Sequence, residues 1–188
     1  MRALWWSDNL TEFDTNLSVE DIQKQCDSII LQDGVVGSSQ KPSEMRSSKV
    51  GFLTRDKSKD LFDLMWRLAL ARNKSAFGFD IESVENIQYG IYNENDKYDW
   101  HIDTNWSNPD SVYHRKISVA IQLSSPDEYE GGDFEIESEE WNDWDWTNRV
   151  KEKGTVIVFP SFLRHRVTPV TKGTRKSLIA WVDGLPFR

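Results

Sequence analysis

The sequence predicts a mostly β fold with N-terminal helices, built as a double-sheet barrel or jelly roll with the helices buttressing one sheet. Helical periodicity is confined to the first 72 residues, and from Asn86 onward the hydrophobic period is two. Short strand-like segments then follow one another, separated by turn sequences. Many short strands after a helical part lead to two packed sheets.

The first helix opens at Ser18, which with Asp21 forms a capping box, and carries Val19, Ile22, Cys26, Ile29 and Ile30 at helical spacing until Asp33-Gly34 stops it. The polar stretch from Gly34 to Ser48, rich in Gly, Ser and Pro, reads as a mobile loop and a candidate flap, and Met45 to Leu53 drifts into strand character. A second helix spans about Ser58 to Arg72, with Leu61, Phe62, Met65, Leu68 and Ala69 on one side. The strands expected after it are Asn86–Tyr92, Lys97–Asp103, Arg115–Leu123, Asp133–Glu137, Gly154–Phe159, Arg164–Val170 and Arg175–Val182. At 188 residues the chain fits one domain, with residues 1–85 as helical support and strand and 86–188 as the jelly-roll core. The alternative is two small domains split near Ala76.

The chain carries 31 acidic against 23 basic side chains, a net charge of −8, which disfavours nucleic acid as a partner. Arg164, Arg166, Lys172, Arg175 and Lys176 form the only local basic cluster that would oppose this. The single cysteine, Cys26, excludes an intrachain disulfide framework and reads as a buried structural thiol. The first residues turn acidic too early for a signal peptide, and no apolar run approaches the length of a membrane span, so a soluble cytoplasmic protein is expected. Nine Trp, nine Phe and five Tyr are more aromatic surface than a core of this size requires, and suit a groove that grips a ligand or peptide.

The stretch YDWHIDTNW, residues 98–106, holds one of three histidines and a carboxylate two residues on. On a strand, His101 and Asp103 share a face, roughly 7 Å apart at Cα. By the same alternation Asp99 joins them, while Tyr98, Trp100 and Ile102 face away. Alone, this spacing marks a solvated polar strand face more often than a metal site. A third ligand must come from His114, in a turn-rich approach to a strand, or from His165, where a new strand starts after Phe159-Pro160. Two imidazoles and one carboxylate on one face of an ion leave positions open, the arrangement of non-haem Fe(II) oxygenases.

Four motifs occur in order: Tyr98-x-x-His-x-Asp, Gly131-Gly132-Asp-Phe-Glu-Ile, Gly154-Thr-Val-Ile-Val-Phe-Pro, and His165-Arg-Val-Thr-Pro-Val-Thr-Lys-Gly-Thr-Arg-Lys-Ser. Together they resemble the 2-oxoglutarate and Fe(II)-dependent oxygenases, in particular the prolyl 4-hydroxylase-like branch and its bacterial and phage relatives. The resemblance runs from about Arg46 to Asp183 and implies a double-stranded β-helix core. It implies Fe(II) held by His101, Asp103 and His165, with 2-oxoglutarate and O2 as cosubstrates and ascorbate as a possible reductant. It implies that Arg175 grips the far carboxylate of 2-oxoglutarate, for which a guanidinium fork is suited. Strand phase puts Ser177, Ile179 and Trp181 on the face of Arg175 and Lys176 on the other. Tyr92 and Ser177 are further cosubstrate candidates. Gln122 stands where relatives carry a tyrosine, a departure that leaves its part open. Arg115 and Trp181 match substrate-contacting positions, Asn105 and Trp106 are placed at the mouth, and Trp141 to Trp146 forms an aromatic, acidic loop that suits a second flap.

The activity implied is hydroxylation of a C–H bond, in a peptidyl proline above all, with decarboxylation of 2-oxoglutarate to succinate. The alternatives are the same oxygenase chemistry on a free amino acid or other small molecule, and an inert jelly-roll binding module.

Overall fold

The structure, a computed structural model, describes residues 5–13, 15–35, 44–104, 106, 112–137 and 149–187. The chain runs β1 (Trp6–Asn9), α1 (Val19–Asp27), β2 (Gln32–Asp33), β3 (Arg46–Ser47), β4 (Lys49–Leu53) and α2 (Lys59–Arg72). It continues with β5 (Ser83–Tyr92), β6 (Lys97–His101), β7 (His114–Gln122), β8 (Tyr129–Gly131) and β9 (Phe134–Ile136). The last strands are β10 (Thr155–Pro160), β11 (His165–Val167), β12 (Val170–Gly173) and β13 (Arg175–Gly184). Seven strands form the large sheet in the order β1-β10-β7-β13-β5-β4-β2, four form the small sheet β3-β6-β11-β9, and β12 pairs with β8. This is the jelly roll that the strand count predicts, with every pairing antiparallel.

Alternation along the central strands makes two apolar layers. Ile87 and Tyr89, Ile117, Val119 and Ile121, Val156 and Val158, and Leu178, Ala180 and Val182 point outward and are buried under the helices. α1 contributes Ile22 and Cys26, one turn apart, and α2 contributes Leu61, Phe62, Leu64, Met65, Leu68 and Ala69. The other face of the same strands turns Tyr92, Ile157 and Phe159 inward, where they meet Tyr129, Phe134, Ile136, Val167 and Val170 from the smaller sheets. A sheet covered on both faces holds its strands at fixed spacing, so polar groups carried on its inner face are placed by the core.

The capping box predicted at Ser18 and Asp21 is present, with Ser18 Oγ accepting from Asp21 N at 3.1 Å. The helix is shorter than its apolar stripe suggests. The backbone turns off at Ser28, and Ile30 ends 91% exposed. α2 matches its expected bounds and runs on into a π-turn at Asn73–Phe77, whose side chain at Asn73 donates to Phe79 O and accepts from Phe79 N, both at 2.7 Å. β1 is too short to show an alternating pattern and exists because Trp6 to Asn9 pair with Val158 to Thr155. The segment expected as one strand over 164–170 is split into β11 and β12, and β6 ends at His101 rather than Asp103. No helix among the described residues is long and apolar enough to cross a membrane.

Three strands carry an extra residue at the same end of the barrel. On β6 three steps, from Tyr98 to His101, face the two from Val167 to His165. On β7 the two steps from Ile117 to Arg115 face the single step from Val182 to Asp183. On β5 the two steps from Asn86 to Val84 face the step from Trp181 to Val182. Each such bulge reverses the alternation beyond it and re-aims side chains.

Leu178, fully buried where the helices meet β13, tests the layered core. Leu178→Ala should cost about 2–5 kcal/mol. Urea titration should show this as a lower midpoint at unchanged slope.

Candidate metal centre and its cosubstrate cleft

β6 and β11 pair so that His101 lies directly opposite His165. Their Nδ1 atoms stand 2.8 Å from Asp99 O and 2.9 Å from Leu163 O. A carbonyl only accepts, so each Nδ1 carries a proton, and in the neutral form of such a ring the lone pair lies on Nε2. Those two Nε2 atoms face the Asp103 carboxylate, His101 at 3.7 Å from Oδ1 and His165 at 3.6 Å from Oδ2. One ligand atom from each residue lies within 4.8 Å of the others, and the three side chains are 9% exposed or less. The arrangement suits a divalent cation bound on one face by two neutral imidazoles and one carboxylate.

The carboxylate is fixed from behind. Ser118 Oγ, from the inner face of β7, donates to Asp103 Oδ2 at 2.6 Å and lies 2.9 Å from Ser161 Oγ. The backbone N–H groups of Asp103 and Thr104 both donate to Ser161 O, at 2.8 and 3.1 Å. Ser118 and Ser161 carry no motif of their own. The one signal in the sequence is a serine breaking the apolar run Ile117-Ser-Val-Ala-Ile121.

Burial pushes His101 down to about 4, helped by the nearby His165 ring. Burial alone would raise Asp103, but the two imidazoles and the Ser118 hydroxyl outweigh it and hold its carboxyl below the usual carboxylate range. At neutral pH His101 is therefore a neutral imidazole and Asp103 a carboxylate, the forms a metal requires.

The β6 bulge corrects the expected phase of YDWHIDTNW. Tyr98 does not face away. Its ring stacks on His101 at 3.5 Å between centroids and 11° between planes. Asp99 is the residue that points out, and it pairs with Lys97 at 3.5 Å. Arg46, buried on β3, lies over the other face of Tyr98 at 4.5 Å, and Phe159 and Phe134 flank His165 at 4.9 and 5.7 Å. The ligand rings are thus held in a column of packed side chains.

Arg175 is 5% exposed and has no carboxylate partner among the described residues. Its Nη1 donates to Ser177 Oγ at 3.1 Å. A buried guanidinium without a counter-ion is costly, and an incoming carboxylate would remove that cost. In register across the sheet, Arg175 faces Tyr92, and Ser177 faces both Gly90 and Gln122. Arg175, Ser177, Tyr92, Gln122 and Trp181 therefore share the inner face, as strand phase predicts for β13. Gln122 spends its amide N–H groups on Tyr129 Oη at 3.0 Å and Ser124 O at 3.3 Å.

At the bulged end, Arg115 turns inward and lies over the Trp181 ring at 3.9 Å. Glu85, brought to the same face by the β5 bulge, holds its Nε at 2.6 Å and Nη2 at 2.9 Å. Glu85, Arg46 and Tyr129 are site neighbours that the sequence reading passed over. Trp106 is half exposed and rests on His114 at 5.6 Å and Phe187 at 5.4 Å. Asn105 and the Trp141–Trp146 loop lie outside the described residues, as does most of the Gly34–Ser48 loop. In the basic cluster, Arg164, Arg166 and Lys172 pair with Glu137, Glu135 and Glu130.

Fold and site together give a jelly-roll protein in which His101, Asp103 and His165 converge as a candidate metal site, with the buried Arg175 on the inner face of β13. Residues 87–183 match the 2OG-Fe(II) oxygenase superfamily, and the chain belongs to it. It is 33% identical over 101 residues to a PKHD-type hydroxylase of Shewanella frigidimarina, covering 52% of this chain and 42% of that protein. It is 30% identical over 104 residues to one of Rippkaea orientalis, covering 54% and 44%. The matched segment thus spans less than half the length of these curated relatives. The fold is shared with the viral collagen prolyl hydroxylase of Paramecium Bursaria Chlorella virus-1, with a TM-score of 0.69, 16% identity and 97% of each chain covered. It is also shared with a Trichoplax adhaerens prolyl hydroxylase solved with a hypoxia inducible factor peptide, with a TM-score of 0.71, 17% identity, and 95% and 83% covered.

Two outcomes check the site. Ser118→Ala should weaken Fe(II) binding roughly 10–100-fold, read by anaerobic titration, because the carboxylate loses the group that orients it. The second concerns pH in the metal-free protein. His101 has a folded value of about 4, below an unfolded value near 6.5, so the unfolded chain binds the proton first. Its contribution should be complete above about pH 6.5 and lost as pH falls through about 4, and His101→Ala should flatten that part of a stability profile.

Proposed function

We propose that this chain is a 2-oxoglutarate-dependent hydroxylase acting on a C–H bond of a peptide or protein, a prolyl residue foremost, within one domain spanning 1–188. The observation that supports it most is the pairing of two features: the imidazole Nε2 atoms of His101 and His165 converging on Asp103, and a buried Arg175 with no acidic partner among the described residues. The donor set fits Fe(II), with His101, Asp103 and His165 as ligands. Bound there, Fe(II) with 2-oxoglutarate and O2 would supply hydroxylation of an unactivated C–H bond, one oxygen atom going to the substrate and the other to succinate as CO2 is lost.

The protein residues position and shield. The Nδ1–H bonds to Asp99 and Leu163 aim both imidazoles, and Ser118 aims the carboxylate. Arg175 anchors the far carboxylate of the cosubstrate as a bidentate fork, with Ser177 beside it. Phe159, Phe134 and Tyr98 wall the ligands and exclude water, which a reactive centre needs.

The peptide reading draws on the substrate end. Glu85 neutralises Arg115 through two hydrogen bonds, so the wall that Arg115 and Trp181 present is polar without a free charge. Such a wall suits an amide backbone and a small ring better than the free carboxylate of an amino acid. Several of the structural neighbours are prolyl hydroxylases, which agrees with this reading.

The test is turnover of a proline-peptide array by Fe(II)-loaded protein, with succinate formation and mass gain of one oxygen atom as readouts. His165→Ala should abolish both. Arg175→Ala should raise the 2-oxoglutarate KM on the order of 100-fold, the cost of losing one partner of a buried charge pair. Unchanged 2-oxoglutarate consumption by His165→Ala would contradict the metal assignment. Consumption without oxygen transfer to any proline would move the substrate away from prolyl peptides.

A further inference from the structure

Gln122, on the inner face of β7, meets a buried phenol, that of Tyr129. Tyr129 pairs across β8 and β12 with Gly173, two residues before Arg175, and its side chain is 5% exposed. A Cβ built on Gly132 would lie 3.1 Å from Arg175 Cδ and 3.3 Å from Tyr129 Cδ2, so the tyrosine ring and the arginine stem both pack closely on this glycine. Gly132, at φ +59° and without a Cβ, permits that approach.

The hydrogen bonds set the direction of the phenol proton. Gln122 Nε2 lies 3.0 Å from Tyr129 Oη and 3.3 Å from Ser124 O. The carbonyl of Ser124 can only accept, so the amide nitrogen faces that side and the amide is not reversed. Tyr129 Oη therefore accepts from Gln122, and its own O–H is left to donate. Among the described residues nothing accepts it. Arg175, alongside, likewise lacks a carboxylate. Burial pushes the Tyr129 phenol up against the downward pull of the Arg175 guanidinium, so it keeps its proton at neutral pH.

We infer that Tyr129 is a direct cosubstrate-binding residue, donating its phenolic proton to the same carboxylate that Arg175 anchors, and that Gln122 is a positioning residue that fixes the phenol for this. Gln122 then acts through Tyr129. The inference rests on the 2-oxoglutarate reading above.

Calorimetry on anaerobic Fe(II)-loaded protein tests it with two ligands, 2-oxoglutarate and 2-oxobutanoate, which has the same keto-acid end and no far carboxylate. Tyr129→Phe keeps the ring and should keep the melting temperature. It should weaken 2-oxoglutarate about ten-fold or more, the weight of one hydrogen bond to a charged acceptor, and leave 2-oxobutanoate unchanged. Gln122→Met, which loosens the phenol without removing it, should show a smaller loss for 2-oxoglutarate alone. Equal weakening of both ligands, or an unchanged 2-oxoglutarate affinity in Tyr129→Phe, would overturn the assignment. Failure of the unaltered protein to bind 2-oxoglutarate would instead overturn the cosubstrate reading on which it stands.

Discussion

The hydrogen bond from Ser118 to Asp103 ties the two sheets together at the metal centre. Ser118 belongs to the large sheet, Asp103 follows the last residue of β6 in the small sheet, and Ser161, between β10 and β11, touches both. With Asp103 fixed, the only freedom left to the site is the aim of two imidazoles, and backbone carbonyls two residues before each histidine take that away. The ligands are thereby set before any ion arrives, so little is lost to reorganisation on binding.

Charge divides the cleft into two ends. Arg175 is buried without an acidic partner among the described residues, and Arg115 is closed by Glu85. The same residue type thus leaves a charge uncompensated by described groups at one end and a neutral wall at the other. Between them the aromatic column of Tyr98, His101, His165 and Phe159 keeps the ligand rings from turning. Burial on the scale seen here also keeps His101 unprotonated well below neutral pH, so the site stays ready for metal across the physiological range.

Much of this was legible in the residues. The ligands lie in motifs whose order is as informative as their content. The inward face of β13, with Arg175, Ser177 and Trp181, followed from alternation alone because that part of the strand pairs without interruption from Arg175 to Trp181. Alternation failed wherever a bulge intervened. Tyr98, Glu85 and Arg115 all point where an unbroken strand would not send them, and a bulge leaves no trace in residue type. Tyr129 was missed for another reason: it is placed by a strand pairing between β8 and β12, and only tertiary contact shows that its phenol meets the Gln122 amide. The over-long first helix shows the same limit, since Ile29 and Ile30 keep helical spacing after the backbone has turned away.

The central claim is that the imidazole Nε2 atoms of His101 and His165 and a carboxylate oxygen of Asp103 bind one ion next to a carboxylate anchor. X-ray absorption on the iron(II)-loaded protein, before and after 2-oxoglutarate is added, addresses it most directly. The account predicts two imidazole scattering patterns around iron in both spectra, with oxygen ligands added by the keto acid in the second. Iron with one imidazole or none, or a spectrum that the keto acid leaves unaltered, would contradict it.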